Sequence, residues 1–595
     1  MKLRKILNAA LGFALCFSCL AGCGKKWETG EGGRVIYPGG DGMDDNRLTI
    51  FRWNFAGVNS ARKSNTEIYK KLKDVAGMNL YASSAGAADW QTKVNTMFAT
   101  QMLPDIFVSK GPETANLYSS MIDDGVLVCI SDFVSETKYA NIYHHLKKFD
   151  YLTKNMYYAD GKHWSIPVNW TLEHTMYIRL DWIDNLNKPE KLKKIIADEQ
   201  NIPESAVTEG MLEEYRFSPP EDLLEFYRLC RAFTLYDPDE NGKNDTYGYT
   251  SSGGDDLFAD NWMYIAFDAG WNFMTDPDGD GKYEPSWTTE NTKKAISYFN
   301  DLYKSGYIDP SWYENSTDAK QEAFAKGTVG MMEGHAWFNN IVRNYISANT
   351  TSTYKPSIEE ASAAIGMFNP PSGPNGTYGI AGNPNFWTVT CLNAGMSDEE
   401  LTAALKLVDY MLSEEGNDLL IYGVEGVHFE YDGKGNRVSK LGKAADGFNR
   451  TLTEADACSE ISSVTNWSTS YLCPYATNAE KIINVMNEAK TYVQYPDYPF
   501  LQTRSYVQYW EILTDFAEQE IFKMLCSSDI WTGNKTFEKG RKIPLTWAEL
   551  AGAGDKLNAS FSSFKASYDK QGGTKVTEDY NNAIAGAVKA NVSKN

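Results

Sequence analysis

Two hydrophobic periods alternate along the chain, and they do so in a definite order. Leu48-Thr-Ile-Phe-Arg-Trp53 reads as a strand, with a loop over 54–60 at its carboxyl end. Ser64-Asn-Thr-Glu67 has the form of a capping box, after which Ile68, Leu72 and Val75 share one helical face and Gly77 closes it. A short strand over 78–81, a helix carrying Trp90, Val94 and Met97, and a buried strand over 103–108 continue the run. Strand, helix, strand, helix, strand predicts a parallel sheet with crossover helices. Ligands of such sheets bind beyond the carboxyl ends of the strands, where Trp53 and Asn54 are expected.

Further along, Ser218-Pro-Pro-Glu221 signals a helix start, and Leu223, Phe226, Tyr227, Cys230 and Phe233 fall on one face. A later helix turns Ala295, Ile296, Phe299, Leu302 and Tyr303 inward and ends at Gly306. Another is capped by Ser397-Asp-Glu-Glu400 and carries Leu401, Leu405, Val408 and Met411.

The helix after Ser218 runs into Asp237-Pro-Asp-Glu-Asn-Gly-Lys-Asn-Asp-Thr-Tyr-Gly248, where side-chain oxygens recur at alternate positions. Asp237, Asp239, Asn241 and Asp245 occupy positions 1, 3, 5 and 9 of a calcium loop, Gly242 makes the turn and the Lys243 carbonyl is available at 7. Position 12, a bidentate glutamate in an EF-hand, is Gly248, so the last ligand comes from water, Thr246 or elsewhere. The competing reading is a surface turn of Asp, Asn and Gly without metal. Calcium is preferred, because four oxygen ligands in register exceed what turn chemistry requires. Residues 247–254 read as strand and loop, not as a second helix, so the ion is expected to be a structural staple. Asp276, Asp278, Asp280, the Lys282 carbonyl and Glu284 repeat the pattern, and there calcium and a plain hairpin turn stand level.

Residues 1–22 read as an export signal: Lys2, Arg4 and Lys5, then an apolar run too short to span a membrane, then Leu20-Ala21-Gly22 before Cys23. This closely resembles a bacterial lipobox, which implies lipidation of Cys23. Residues 23–46 are glycine-rich and read as a flexible tether. The formal net charge of -21 argues against nucleic acid and anionic lipid as partners. The cysteines beyond Cys23 lack any CxxC spacing; Cys458 and Cys473 are candidates for a bridge, and buried free thiols are expected for most. A chain of 595 residues is too long for one core. Aromatic content of 13% suits both core and a sugar-stacking surface.

Asp160-Gly-Lys-His-Trp-Ser-Ile-Pro-Val168, Ile178-Arg-Leu-Asp-Trp-Ile183, the stretch 232–248, Leu302-Tyr-Lys-Ser-Gly-Tyr-Ile-Asp-Pro310, Gly423-Val-Glu-Gly-Val-His428 and the helical stretch 547–568 resemble the solute-binding lipoproteins of bacterial carbohydrate ABC importers. Some relatives hold calcium in a loop similar to 237–245, and that loop also lacks the EF-hand glutamate. The resemblance implies an α/β, two-lobe, periplasmic-binding-protein-like fold, each lobe a doubly wound sheet with flanking helices and a hinge between. The expected lobes are 47–165 with roughly 335–435, and 166–334 with roughly 436–595. The implied activity is capture of a saccharide or oligosaccharide and its delivery to an ABC permease by a monomer anchored on the outer face of the cytoplasmic membrane. Sugar rings call for aromatic plates and planar polar partners, so Trp53, Asn54, Asn169, Trp170, Trp262, Trp271, Trp337 and Arg504 are the candidate ligand contacts, with core packing the competing role for each tryptophan.

No GxSxG, Walker A or HExxH occurs, and the six histidines show no metal spacing. Glu173, Glu333 and Glu425 lie near aromatics and are the first suspects for a glycosidase pair; acceptors for sugar hydroxyls, or plain surface charges, is the preferred reading. The chain is therefore expected to be a binding protein. A surface hydrolase or lyase, and a glycan-adhesion lipoprotein without a transporter, are the alternatives.

Overall fold

The computed structural model of the chain is built on two sheets. It describes residues 46–54, 66–86, 89–110, 115–150, 152–155, 161–170, 174–254, 260–271, 273–382, 386–452, 457–467, 475–494, 497–498, 501, 503–527, 547, 552 and 554–592. The signal, the tether, Cys23, Glu173 and Cys473 lie outside the described residues, as do the side chains of Asn54, Asn169, Trp170 and Cys458.

In chain order the strands are β1 (Arg47–Asn54), β2 (Asn79–Gly86), β3 (Ile106–Lys110), β4 (Ile166–Trp170), β5 (His174–Arg179), β6 (Tyr247–Thr250), β7 (Met274–Thr275) and β8 (Glu284–Pro285). There follow β9 (Val329–His335), β10 (Ile365–Phe368), β11 (Ile380–Ala381), β12 (Phe386–Leu392), β13 (Phe429–Tyr431), β14 (Arg437–Ser439), β15 (Asn466–Trp467) and β16 (Val493–Gln494). The six-stranded sheet has the order β15-β4-β12-β3-β1-β2, and the four-stranded sheet β10-β5-β9-β6. The pairs β11-β16, β13-β14 and β7-β8 stand apart from both.

The expected parallel core is present: β1 pairs in parallel with β2 along its whole length and with β3 at Ile50 and Phe51. The helices Glu67–Ala76 and Trp90–Ala99 provide the crossovers. Leu48, Ile50, Ile68, Leu72, Trp90, Val94, Ile106 and Val108 share one core. The first helix is capped by Thr66, not Ser64: the Thr66 side chain accepts from the Tyr69 amide at 3.3 Å, and Gly77 ends the helix at φ 69°. Likewise the helix expected from Ser218 begins at Leu223, because the Asp222 carboxylate takes the Leu224 and Glu225 amides, each at 2.8 Å. A charged acceptor one residue before the first turn is the stronger cap. The capping box of Ser397 and Glu400 forms as expected.

In the four-stranded sheet, alternation along β5 sends Met176 and Ile178 into one core and Tyr177 into another, so both faces are buried. Helix Leu223–Leu235 packs on β6 and β9 at the first face, and the same core continues outward into Glu290–Lys304 and the C-terminal helices Arg504–Cys526, Asp555–Tyr568 and Thr574–Val592, which pack on one another. Helices Phe338–Ala348 and Ala479–Tyr492 contribute to the second.

Strand pairing redraws the sequence limits of the two halves. β4, expected beyond a boundary at 165, pairs with β12 and β15 in the six-stranded sheet; β15, expected with the second half, joins it there. β10, expected with the first half, pairs with β5 in the four-stranded sheet. Composition does not mark these switches, since backbone pairing partners alone decide them.

Candidate functional site

Strand direction locates an edge shared by the two sheets. β1, β2 and β3 run in parallel, β12 runs against β3, and β4 runs against β12, so the carboxyl ends Asn54, Gly86, Lys110 and Trp170 lie at one edge. In the other sheet β6 and β9 are parallel, and β5 is antiparallel to β9 and β10, which brings Thr250, His335 and Phe368 to one edge with the start of β5 at His174. Four residue steps separate Trp170 from His174, which limits their Cα separation to about 14 Å. The two carboxyl edges therefore adjoin. The chain crosses again at the same edges from Phe368 to Phe386, and once more beyond Trp467 toward the helix Ala479–Tyr492. This is where an open α/β sheet binds its ligands.

A polar network lines the four-stranded side. Glu333 is buried and bonded to Nδ1 of His174, and it forms a 3.3 Å ion pair with the buried Lys320. Burial raises the Glu333 pKa, but the charges of His174 and Lys320 outweigh that and hold it at about 2. His174 meets His335 edge-on at 4.1 Å, and His335 stacks on Trp337 at 4.6 Å and 17°. Burial pushes the His335 imidazole well below its ordinary range, so the ring is neutral. Tyr492 donates to the His174 carbonyl at 2.8 Å, and the exposed Tyr378 leans on the Tyr492 ring at 6.0 Å. Beneath lies Asp260, which accepts from the Tyr249 hydroxyl; that hydroxyl also receives the Trp262 Nε1 proton at 3.1 Å. Burial lifts Asp260 to about 6, against the pull of Tyr249, Ser251 and the Lys320 charge.

The expected contacts divide. Asn54, Asn169 and Trp170 end strands at the shared edge, and the half-buried Trp337 lies beside it. Trp53 and Trp262 are each 0% exposed and belong to the cores, and Trp271 is buried against Tyr264. These three are corrected to packing residues: alternation turns Trp53 under the sheet, and the Trp262 helix presses its indole between Phe226 and Tyr249. Arg504 opens the long helix Arg504–Cys526, is exposed, and sits on an element that packs with Glu290–Lys304 and the C-terminal helices. Glu333 is not a surface acceptor but the buried anchor of His174; Glu425 is exposed, and His428 accepts from the Val424 amide at 2.9 Å.

The two acidic loops also diverge. In 237–245 the Gly242 amide donates to Asp237 at 3.1 Å, and Asn241 donates to Asp239 at 2.8 Å and to Asp245 at 3.2 Å. Asp237 Oδ1 is buried and, among the described residues, has no hydrogen-bond partner. Burial, then the adjoining Asp237 side chain and the Asp245 charge, raise the Asp239 pKa. Carboxylates turned on one another with an orphaned oxygen fit a divalent cation. Gly248 cannot supply a twelfth-position ligand: a Cβ there meets the Cys230 backbone at 2.3 Å. In the second loop Lys282 neutralises Asp280 at 2.7 Å, and Glu284 turns away to Lys565 at 2.9 Å. It forms the β7-β8 hairpin, with Gly279 and Gly281 at φ 68° and 80°. Among the described residues no three His, Cys, Asp or Glu side chains are grouped to hold a metal by themselves, so Asn241 and the Lys243 carbonyl are needed to complete the first loop.

The sequence pattern of the bacterial extracellular solute-binding proteins matches residues 67–422, more than half of the chain. This protein belongs to that family. The match bears out the family resemblance, and membership bears out the expectation of a binding protein rather than an enzyme. The polygalacturonan/rhamnogalacturonan-binding protein YtcQ of Bacillus subtilis (strain 168) is 23% identical over 367 residues, 60% of this chain and 63% of its own length. Lipoprotein LipO of the same organism is 26% identical over 225 residues, 36% of this chain and 41% of its own. The chain thus aligns with less than two thirds of either relative. The fold is similar to the alginate-binding protein AlgQ2, solved without calcium ion, at TM-score 0.57 and 14% identity over 91% of this chain and 98% of that one. It is also similar to the ABC-transporter substrate-binding protein FusA of S. pneumoniae, solved with kestose, at TM-score 0.59 and 14% identity over 92% of this chain and all of that one. The two-lobe α/β expectation is thereby met.

Among the residues grouped around this edge, His174, His335 and Tyr378 are not among the contacts expected from the sequence. His174 and Glu333 are 159 positions apart and meet only because β5 pairs with β9. Tyr378 carried no helical or strand signal that would have picked it out.

Proposed function

We propose that this protein captures a saccharide or oligosaccharide between its two lobes and delivers it to an ABC permease, held on the outer face of the cytoplasmic membrane by a lipid on Cys23. The observation that carries the reading is the shared carboxyl edge, where three chain crossings and the His335-Trp337 ring stack converge. Rings and planar polar groups at a hinge suit the apolar faces and hydroxyl belt of a sugar. The names of YtcQ and FusA's bound kestose support the ligand class, and LipO's name supports the anchor. Among the described residues no helix is long and apolar enough to cross a membrane. By sheet membership the lobes are roughly 46–170 with 386–467, and 174–382 with 475–592. Trp337, Asn54, Asn169 and Trp170 are the proposed contacts, and 237–245 the proposed structural calcium loop. A glycan array probed with the chain lacking residues 1–23, followed by calorimetry on whatever is retained, tests the reading. It expects retention of a defined glycan without shortening; no retention, or steady release of cleaved product, overturns it.

A further inference from the structure

One stretch of the first half leaves its own core, enters the other, and comes back. Leu441 packs against the core of the six-stranded sheet, and Leu452 is buried in it. Between them Phe448 is 1% exposed, yet the core it joins is that of Tyr177 and Met332 on β5 and β9 and of Phe338 and Ile341 on the helix Phe338–Ala348. The loop 442–450 is braced from within: the Arg450 amide donates to the Gly442 carbonyl at 3.0 Å, the Ala444 amide to the Phe448 carbonyl at 2.8 Å, and the Gly447 amide to the Ala444 carbonyl at 3.0 Å. Gly442 and Gly447 make its corners at φ 70° and 91°, where other residues are strained.

The second half grips this loop with side chains of its own. Arg343 lays its guanidinium over the Phe448 ring at 4.3 Å, and its Nε donates to Asp446 at 2.8 Å. Asp446 also accepts from the Phe448 amide at 3.2 Å, so one carboxylate both shapes the turn and meets the other half. The Asn449 amide donates to the Thr477 hydroxyl at 2.8 Å. Beside it Tyr475, just past the third crossing, donates to the Tyr422 carbonyl of the first half at 3.0 Å. The Arg343-Asp446 pair is partly exposed and contributes little, whereas withdrawing a whole aromatic ring from water contributes more, so Phe448 is the main hold. Unlike the three crossings, this link is noncovalent, and it can be undone.

We propose that residues 442–450 form a releasable latch between the two halves, with Phe448 as the bolt and Arg343 as its seat, and that it holds them in their present arrangement when no ligand is bound. Rotation of one half about the crossings drags Phe448 against the helix Phe338–Ala348, so the halves move widely only after the ring has left its site. Local release of a braced loop then precedes the motion of the larger bodies. The inference rests on the division of the chain by sheet membership and not on the nature of the ligand.

The test uses the mature chain from residue 24 with no ligand added. Hydrogen exchange over 441–452, read by mass spectrometry, follows the loop, and small-angle scattering follows the halves. In Phe448→Ala the loop is expected to exchange about thirtyfold faster, the scale of one buried aromatic side chain, and the radius of gyration to rise. Arg343→Glu and Asp446→Lys are each expected to speed exchange about threefold, and the double variant Arg343→Glu/Asp446→Lys to return it toward the wild-type rate. Exchange over 441–452 in the wild type as fast as in Phe448→Ala overturns the docking. A loop that is freed in Phe448→Ala while the scattering curve stays that of the wild type overturns the latch. Where Phe448→Ala does not fold, the two charge variants decide, since both alter partly exposed side chains: exchange and radius unchanged in both overturns the proposal. Neither readout involves a glycan, so failure of the saccharide reading leaves this test intact.

Discussion

Asp260 shows how a single buried group ties stability to pH. Its carboxyl titrates near 6 because burial disfavours the charge, against 3.8 when unperturbed. A carboxylate with a raised folded pKa is costless while protonated and destabilising once ionised, so its effect sets in as pH rises from 3.8 through 6. At neutral pH the cost is about 3 kcal/mol. Asp260→Asn keeps an acceptor for Tyr249 and is expected to remove that loss, flattening denaturant-derived stability between pH 4 and 8 by about that amount. Equal pH dependence in the variant and the wild type would refute it. Glu333, held at about 2, has the opposite sign: its contribution is present above 4.5 and fades as pH falls toward 2, so the two windows do not overlap at their centres. At the same scale, Trp53 and Trp337 separate packing from contact. Trp53→Ala is expected to cost about 3 to 5 kcal/mol of stability with affinity kept, as core truncations do. Trp337→Ala is expected to cost about 1 to 3 kcal/mol of glycan affinity, the range for stacking platforms, with little change in melting. Calorimetry and thermal melting on both variants check this, and the reverse pattern would exchange their roles. The sequence could not distinguish them, because a tryptophan at a strand end reads the same whether the strand's alternation turns it under the sheet or out of it.

Among elements, the loop after Leu223–Leu235 was the most legible. Its ligand spacing is local, so the alternation of oxygens could be read without knowing the fold. What could not be read was that Lys191 donates to the Asp237 carbonyl at 2.8 Å, Asn185 to the Pro238 carbonyl at 2.8 Å, and Thr246 back to Phe233 at 2.7 Å. These bonds tie the loop to the helices Leu180–Leu186 and Pro189–Gln200, and they make it a clamp on three helices. An ion bound there with a dissociation constant of about 0.1 to 1 mM would add roughly 0.4 to 1.4 kcal/mol at 1 mM calcium. Chelator is therefore expected to lower the melting temperature, and Asp239→Ala to abolish the response. Asp278→Ala, in the hairpin already neutralised by Lys282 and Lys565, is expected to leave it intact. Loss of the calcium response in Asp278→Ala instead of Asp239→Ala would transfer the site to the second loop. The crossover helices were legible for the same local reason, whereas the Thr66 and Asp222 caps were displaced by two to four residues because several capping residues adjoin in each case.

For the whole molecule, the parallel start of the six-stranded sheet was legible and the exchange of strands between sheets was not. β4, β10 and β15 are placed by partners up to hundreds of residues away, and nothing in their own composition records that pairing. The exchange has a mechanical consequence. All three crossings leave from carboxyl edges, so a pivot in these links would lie at the floor of the proposed ligand space and not on the far side of the lobes. Hinges of this kind concentrate backbone rotation in a few linking residues while each sheet moves as a body. A ligand that touches both edges gains its contacts only in the closed arrangement, and it shifts the population by that difference in affinity and no more. Saturating glycan is thus expected to lower the radius of gyration measured by small-angle scattering, and Trp337→Ala, which removes a plate from one edge, to require more glycan for the same decrease. An unchanged radius at saturation, with binding confirmed by calorimetry, would mean that the lobes do not close on the ligand. The anchor can be judged on the same preparation route. Cys23→Ala is expected to release the chain from the membrane fraction or stall its processing, and a wild-type N-terminus found downstream of Cys23 without lipid would separate capture at the edge from tethering at the membrane.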